Sequence, residues 1–184
     1  MSAMTALADI DGPVRRIVVL RALMLGDTLC AVPALRAIRR AWPEAHISLL
    51  GLPASRELAA RLDCVDEWLC FPGWPGLPEQ TVNVRALPDF LAVMQAAGWD
   101  LALQLHGSGG LSNPLVALFG ARFSAGFHAP GAWVPPLDAP LYCTWPEQGR
   151  ESQRLLALCD HLELPIDNEA AEFPLRPEDD AGLD

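Results

Sequence analysis

The chain has 184 residues, 51% of them hydrophobic, which is enough for one well-packed domain and too few for two of ordinary size. Its formal net charge is −10, from 23 acidic and 13 basic residues, and every basic residue is an arginine. A chain with this balance lacks the basic stripe that nucleic acid requires, so the composition excludes nucleic acid as a partner, and an anionic ligand must be held locally.

The predicted elements begin after residues 1–14, a small and polar segment that we expect to be a flexible leader. Residues 15–22, RRIVVLRA, form a continuous apolar run that is typical of a strand buried on both faces of a parallel sheet. The elements predicted beyond the following helix are strand 46–51, helix 53–62, strand 67–71, helix 84–98 with its regular part from Pro88, strand 100–107, helix 110–121, strand 122–127 and helix 151–164. This alternation predicts a Rossmann-like domain over residues 15–165, with a parallel sheet covered by helices on both faces.

The helix after the first strand carries a stripe of apolar residues at a spacing of three to four from Leu29 onward, which leaves its arginines on the other side. Those arginines, predicted to face water, are Arg36, Arg39 and Arg40. Pro33 lies inside the pattern and lacks an N–H group, so we expect the regular helix to begin near Ala31 or to bend there. Residues 166–184 are acidic and contain proline, and we expect them to start an interdomain linker.

The cysteine pattern and the longest apolar run both favour a cytoplasmic protein. The five cysteines are scattered, odd in number and without a CxxC pair, so free thiols are predicted and no metal site. The apolar run from Ile17 to Leu25 is interrupted by Arg21 and is far shorter than the roughly 20 residues of a membrane span. No small-residue cleavage site follows it, which argues against a secretory signal.

Two loops are candidate sites, because ligands of an open parallel sheet bind where strands end and helices begin. The first, LMLGDT at residues 23–28, places Gly26 in a predicted tight turn and Asp27 at the entrance of a helix. Two interpretations of Asp27 stay open. It caps the helix, a contribution of about 1 kcal/mol, or it is a general base that faces the crevice and is kept ionised by the helix amides.

The second loop, HGSGGLSN at residues 106–113, follows the fourth predicted strand. Its glycines and serines let backbone amides approach a ligand closely and form an anion-binding nest, although such loops also serve only to turn the chain. For His106 a local hydrogen bond is the alternative to a role in binding. Neither a G-x-G-x-x-G sequence nor a P-loop follows the first strand, which argues against a nucleotide site of those kinds.

Several segments resemble one known family of enzymes. Residues 16–51 contain a strand, Leu-Gly-Asp, Pro-Ala-Leu-Arg-Ala and a second strand, and they resemble the opening of the ADP-heptose:lipopolysaccharide heptosyltransferases of glycosyltransferase family nine. Residues 98–127 are similar to a later strand and small-residue loop of that family, and residues 151–164 to the helix that ends its first half. The resemblance therefore covers most of residues 15–165.

The resemblance implies one half of a GT-B glycosyltransferase, inverting and independent of metal. Asp27 would take the proton from an acceptor hydroxyl, and the acceptor would be a glycan or glycolipid. The residues implied on the acceptor side are Gly26, Thr28, His106, Gly107, Ser108, Gly109 and Asn113. A nucleotide-sugar such as ADP-heptose would bind to a separate carboxy-terminal half, so this chain alone is expected not to turn over.

The implied location is the cytoplasm, with peripheral contact at the inner face of the membrane. A non-catalytic α/β binding module, with Asp27 only a helix cap, remains the alternative. The donor sugar and the acceptor stay unidentified at this point.

Overall fold

The computed structural model describes residues 12–176 and residue 179. The strands are Arg16–Leu20 (β1), His46–Gly51 (β2), Glu67–Cys70 (β3), Leu101–Gln104 (β4), Phe123–His128 (β5) and Tyr142–Thr144 (β6). The α-helices are Leu25–Cys30 (α1), Val32–Ala41 (α2), Arg56–Ala59 (α3), Leu87–Ala96 (α4), Ser112–Ala117 (α5) and Glu151–His161 (α6). Short 3₁₀ turns occupy Pro53–Ser55, Val84–Ala86 and Ala139–Leu141.

The strands form one sheet in the order β3-β2-β1-β4-β5-β6, and all neighbouring pairs are parallel. The chain first builds outward from β1 to β3 and then crosses back to place β4 on the other side of β1. Such a reversal opens a crevice at the carboxyl ends of the two central strands. The predicted parallel sheet covered on both faces is confirmed, and β1 and β4 are the strands that border its crevice.

Alternate residues of the central strands supply two cores, one on each face of the sheet. Ile17 and Val19 point toward α2 and α6, whose buried residues include Leu35 and Leu158. Val18 and Leu20 point to the other face, where the packed residues come from α4 and α5 and include Met94, Leu115 and Val116. Each fully buried side chain of this size contributes about 1.5–3 kcal/mol, so the pattern of burial fixes which face each helix covers.

The predicted bend near Pro33 is confirmed as a break between two helices. The amide of Ala31 donates to the carbonyl of Thr28 at 3.0 Å, which closes α1 with a three-residue turn. A new helix then begins at Val32 with Pro33 in its first turn. Pro33 has no N–H to offer the carbonyl of Leu29, so one continuous helix would leave that carbonyl without its usual partner.

Other boundaries differ from the prediction for local reasons. The helix predicted over 53–62 divides into a 3₁₀ turn and the four-residue α3. The strand β6 was not predicted, because three residues between prolines are too few to show a periodic pattern. Strand β2 has the predicted bounds, β5 is shifted by one residue, and the other predicted strands and helices are present with shorter ends.

The arginines of α2 are exposed or partly exposed on the side away from the core, as expected, but they also bind other parts of the chain. Arg36 donates through Nη2 to the side chain of Asn168 at 3.0 Å, and Arg40 donates to Asp167 at 2.6 Å. Arg39 pairs with Asp66 on the loop before β3. Polar groups of the carboxy-terminal segment and of the loop before β3, together with water, therefore bind the arginines on this side of the helix.

The leader and linker predictions fall partly outside the described residues. Residues 1–11 of the leader are among those not described, as are 177, 178 and 180–184 of the linker. Residues 165–176 contain no helix or strand and lie along α2 and the end of α3. None of the helices within the described part of the chain is long and apolar enough to span a membrane.

Candidate functional site

The two candidate loops are neighbours because the strands that precede them are paired. Leu20 of β1 lies opposite Gln104 of β4, and both strands point their carboxyl ends to the same edge of the sheet. The loop before α1 and the loop before α5 therefore both border the crevice between β1 and β4. This juxtaposition, expected for adjacent parallel strands, brings Asp27 and the glycine loop to one edge.

Asp27 is the third residue of α1, and it is not the residue that caps the helix. Met24 occupies the N-cap position, and no side chain hydrogen-bonds to the free amides there. The cap interpretation of Asp27 is therefore wrong. The carboxylate is partly exposed in the first turn, where the helix dipole favours a negative charge. Within residues 12–176, no hydrogen bond to this carboxylate is formed, which leaves it available to a ligand.

Gly26 does not form the predicted tight turn, because it is a helical residue of α1 with an ordinary negative φ. It is exposed, and a methyl group added at this position would meet no atom within 4 Å. The surface at Gly26, the residue that precedes Asp27, is thus open. Thr28, by contrast, is fully buried and donates from Oγ1 to the carbonyl of Met24 at 3.2 Å. Its place is in the packing beneath α1.

The glycine loop divides into an exposed rim and a buried base. Ser108 is exposed and Gly107, with a φ of +65°, is partly exposed. Gly109 is buried with a φ of +87°, and a Cβ there would collide with the amide of Asn113 and the carbonyl of Phe127. Glycine is therefore required at this position for both backbone conformation and space.

Asn113 lies beneath the loop and has no exposed surface. Its amide nitrogen donates to the carbonyl of Phe127 at 3.0 Å and to that of Trp133 at 3.2 Å. These bonds tie the start of α5 to the end of β5. The structure thus gives Asn113 a place in the support of the loop, not on its surface.

His106 is 5% exposed at the end of β4. Its Nε2 lies 3.5 Å from Oε1 of Glu79, while its Nδ1 is buried and has no hydrogen-bond partner. Burial lowers the pKa of His106 and the charge of Arg21 adds to this effect, against an opposing contribution from Glu79. The neutral imidazole is thus favoured, held beneath the rim of the crevice.

The structure therefore separates the predicted site residues into two groups. Gly26, Asp27, Gly107 and Ser108 reach the surface at the edge of the sheet, where an acceptor can meet them. The residues that lie below this surface are Thr28, His106, Gly109 and Asn113. Contact of any residue with an acceptor remains a prediction, and the buried group is best placed to shape the two loops.

Arg21 belongs to the site and was missed by sequence reasoning. The sequence showed it only as an interruption of an apolar run, yet its side chain is fully buried and hydrogen-bonds to the backbone of Asp27. A charged residue inside a strand that is otherwise apolar is the signal that identifies it, because such a charge is retained only where partners satisfy it.

A separate cavity of about 350 Å³ lies on the α2 side of the molecule. Its lining includes Arg36, Arg61, Cys64 and Phe173, and none of the site residues above. The arginines there are paired with acidic or carbonyl groups of the chain itself. Nowhere in the described residues are three His, Cys, Asp or Glu side chains grouped so that they could hold a metal ion.

Comparison with known proteins finds no matching family model and no matching curated protein. Solved structures do match, and they define the class of fold. A family 9 glycosyl transferase from Veillonella parvula superimposes with a TM-score of 0.64 at 18% identity, over 89% of this chain and 45% of that one.

Two E. coli enzymes match comparably. Heptosyltransferase WaaC, solved with ADP-2-deoxy-2-fluoro heptose, gives a TM-score of 0.62 at 18% identity over 86% of this chain and 51% of its own. ADP-heptose LPS heptosyltransferase II gives a TM-score of 0.62 at 16% identity, over 91% of this chain and 49% of its own. This chain thus has the fold of about half of a family 9 glycosyltransferase, and at such identities the likeness establishes the fold.

Proposed function

We propose that this chain is the amino-terminal, acceptor-binding half of an inverting, metal-independent glycosyltransferase of the GT-B architecture. The observation that carries the proposal is the position of Asp27. A partly exposed carboxylate without a hydrogen-bond partner stands at the crevice between β1 and β4, in a fold that known glycosyltransferases share. The resemblance of residues 16–51 to the opening of the heptosyltransferases supports the same function.

In the proposed reaction Asp27 acts as general base. The acceptor hydroxyl gives its proton to the carboxylate as its oxygen attacks the anomeric carbon of the donor. The bond between that carbon and the diphosphate breaks, and the nucleoside diphosphate leaves with the electron pair, which inverts the anomeric configuration. A carboxylate is a weak base, but it suffices where the proton leaves only as the new bond forms.

The open space beside Gly26 receives the acceptor sugar in this proposal, and the exposed rim at Gly107 and Ser108 flanks it. The acceptor is a glycan or glycolipid of the lipopolysaccharide type. The donor is a nucleotide-sugar, with ADP-heptose the first candidate, and we propose that a separate carboxy-terminal half holds it, so that these 184 residues by themselves do not turn over. The proposed location is the cytoplasm, at the inner face of the membrane.

The test is the Asp27→Asn variant of the longer protein that carries a donor-binding half. We expect sugar transfer to fall by about two to four orders of magnitude, since the base is removed while the shape is kept. Asp89→Asn is the matched control, because Asp89 also stands at the third position of a helix, α4, and lies outside both loops. Transfer should survive that change.

The melting temperature of each variant shows that folding is intact. Wild-type transfer by a folded Asp27→Asn variant would remove the catalytic role and leave a binding module as the alternative.

A further inference from the structure

We propose that Arg21 is a positioning residue that fixes Asp27 at the crevice through a three-way hydrogen-bonded junction. The inference rests on the proposed function for its catalytic meaning. Its structural part, the hold of Arg21 on α1, stands on contacts alone.

The guanidinium of Arg21 is fully buried, and all of its nitrogens find acceptors. Nε and Nη2 donate to the carbonyl of Asp27 at 3.1 and 2.8 Å. Nη1 donates to the carbonyl of Leu105, just beyond β4, at 2.7 Å. Nη2 also donates to Oε1 of Glu151 at 3.0 Å. One side chain therefore joins α1, the end of β4 and the first turn of α6.

The carbonyl of Asp27 can accept hydrogen bonds from Arg21 because it lacks the usual hydrogen bond from a helical amide four residues later. In a longer helix this carbonyl would accept the amide of Ala31, but that amide donates to Thr28 at the break between α1 and α2. Nε and Nη2 of Arg21 donate to the Asp27 carbonyl in place of that amide. The orientation of Asp27 is therefore set by the buried side chain of Arg21, the residue that follows β1, and not by the helix alone.

Among the described residues, Glu151 supplies the one carboxylate that hydrogen-bonds to the buried guanidinium. It is shared with Arg154, whose Nη1 lies 3.3 Å from its other oxygen. Burial lowers the pKa of Arg21, and the hydrogen bond and charge of Glu151 oppose that shift. The charge of Asp27 also favours the guanidinium, but a buried charge is costly even so, and a packed apolar residue would serve stability at least as well. Placement of the α1 loop is the role that the geometry supports.

A lysine cannot replace this arginine, because an ammonium lacks the planar fork that serves three acceptors in different directions. We therefore expect Arg21→Lys to leave the fold in place and to loosen α1. In the 184-residue chain, hydrogen exchange of the peptide covering residues 23–31 should become faster. Exchange in β5 should stay unchanged. Arg122→Lys, which alters an ion pair with Asp100 at the opposite edge of the sheet, is the control.

The catalytic part is tested in the longer protein with ADP-heptose and lipopolysaccharide acceptor. Arg21→Lys should lower kcat by about tenfold to a hundredfold, with KM unchanged, because a small misplacement of a reacting group has that effect. In the Asp27→Asn background the same change should have no further effect, since Arg21 acts through Asp27. Glu151→Gln should show a smaller loss of the same kind.

The outcomes separate the two claims. If Arg21→Lys lowers kcat by the same factor with and without Asp27, or if exchange over residues 23–31 does not change, the positioning role is overturned. If Asp27→Asn transfers sugar at the wild-type rate, the proposed function fails, while the exchange result still decides whether Arg21 holds α1. If Arg21→Lys does not fold, the same measurements of hydrogen exchange and of kcat, with and without Asp27, are made on Glu151→Gln.

Discussion

At the level of single residues, the site is defined as much by what is missing as by what is present. The carboxylate of Asp27 has no hydrogen-bond partner among the described residues. Gly26, the preceding residue, has no side chain, and the space around its Cα is open. The hydrogen-bonding groups around them, Thr28 and Arg21, are buried and already bonded to backbone carbonyls. A ligand at this edge can therefore hydrogen-bond to the carboxylate of Asp27.

Replacement of Gly26 separates stability from binding. Because Gly26 is helical and its surroundings are open, Gly26→Ala should raise the free energy of unfolding by about 0.5–1 kcal/mol, measured by urea denaturation. Gly26→Leu should also fold, but its side chain would fill the space beside Asp27 and weaken acceptor binding. A Gly26→Leu variant that binds acceptor as the wild type does would place the acceptor elsewhere.

His106 should make stability depend on pH. Burial lowers its pKa in the folded protein below the ordinary value of 6.5. Below 6.5 the unfolded chain binds this proton more readily, so stability falls as the pH drops through that window and is constant above it. His106→Gln should flatten the slope between pH 5 and 7 in denaturation experiments. His128→Gln, at the end of β5, is the control, and an unchanged slope in His106→Gln would contradict the assignment.

At the level of elements, the crevice depends on how two strands pass into two helices. The connection between β1 and α1 is short and is held by Arg21. The connection between β4 and α5 is held by the glycine loop and Asn113. The sequence placed both loops at one edge, because carboxyl ends of neighbouring parallel strands must meet. It did not show that Gly26 is helical, since a Gly-Asp pair after a strand is equally typical of a turn.

Two neighbouring glycines of the second loop, Gly109 and Gly110, should differ sharply in how much a substitution by alanine destabilises the fold. Gly109 has a φ of +87° and no room for a Cβ, whereas Gly110 has neither restriction. Gly109→Ala should lower the free energy of unfolding by about 1–3 kcal/mol, and Gly110→Ala by less than about 0.5 kcal/mol. Urea denaturation of the two variants measures the difference. Equal losses would mean that the loop does not require the conformation described.

For the whole molecule, periodicity was enough to predict a parallel sheet covered on both faces. The buried strands and amphipathic helices carry their own signal, and right-handed crossovers limit how they assemble. The short β6 and the pairing of Arg40 with Asp167 were not predicted. The first is shorter than the four residues over which alternation becomes recognisable, and the second joins residues whose contact depends on the path of the entire chain.

Long-range polar contacts are the part of the site that sequence could not supply. Arg21 and Glu151 are 130 residues apart, and no local pattern links them. Similarly, Glu79 reaches His106 from a loop that the sequence showed only as rich in proline and glycine. The apolar pattern predicted that candidate sites lie at the carboxyl ends of the strands, whereas the strand order and the polar groups around the crevice became visible only in the structure.

The most direct test of the account is to locate the acceptor on the molecule. Amide chemical shifts of the 184-residue chain would be followed as oligosaccharide from heptose-deficient lipopolysaccharide is added. We expect the largest changes at Gly26, Asp27, Gly107 and Ser108. Changes confined to the arginine-lined cavity around Arg36 and Arg61, with none at the carboxyl ends of β1 and β4, would contradict the account.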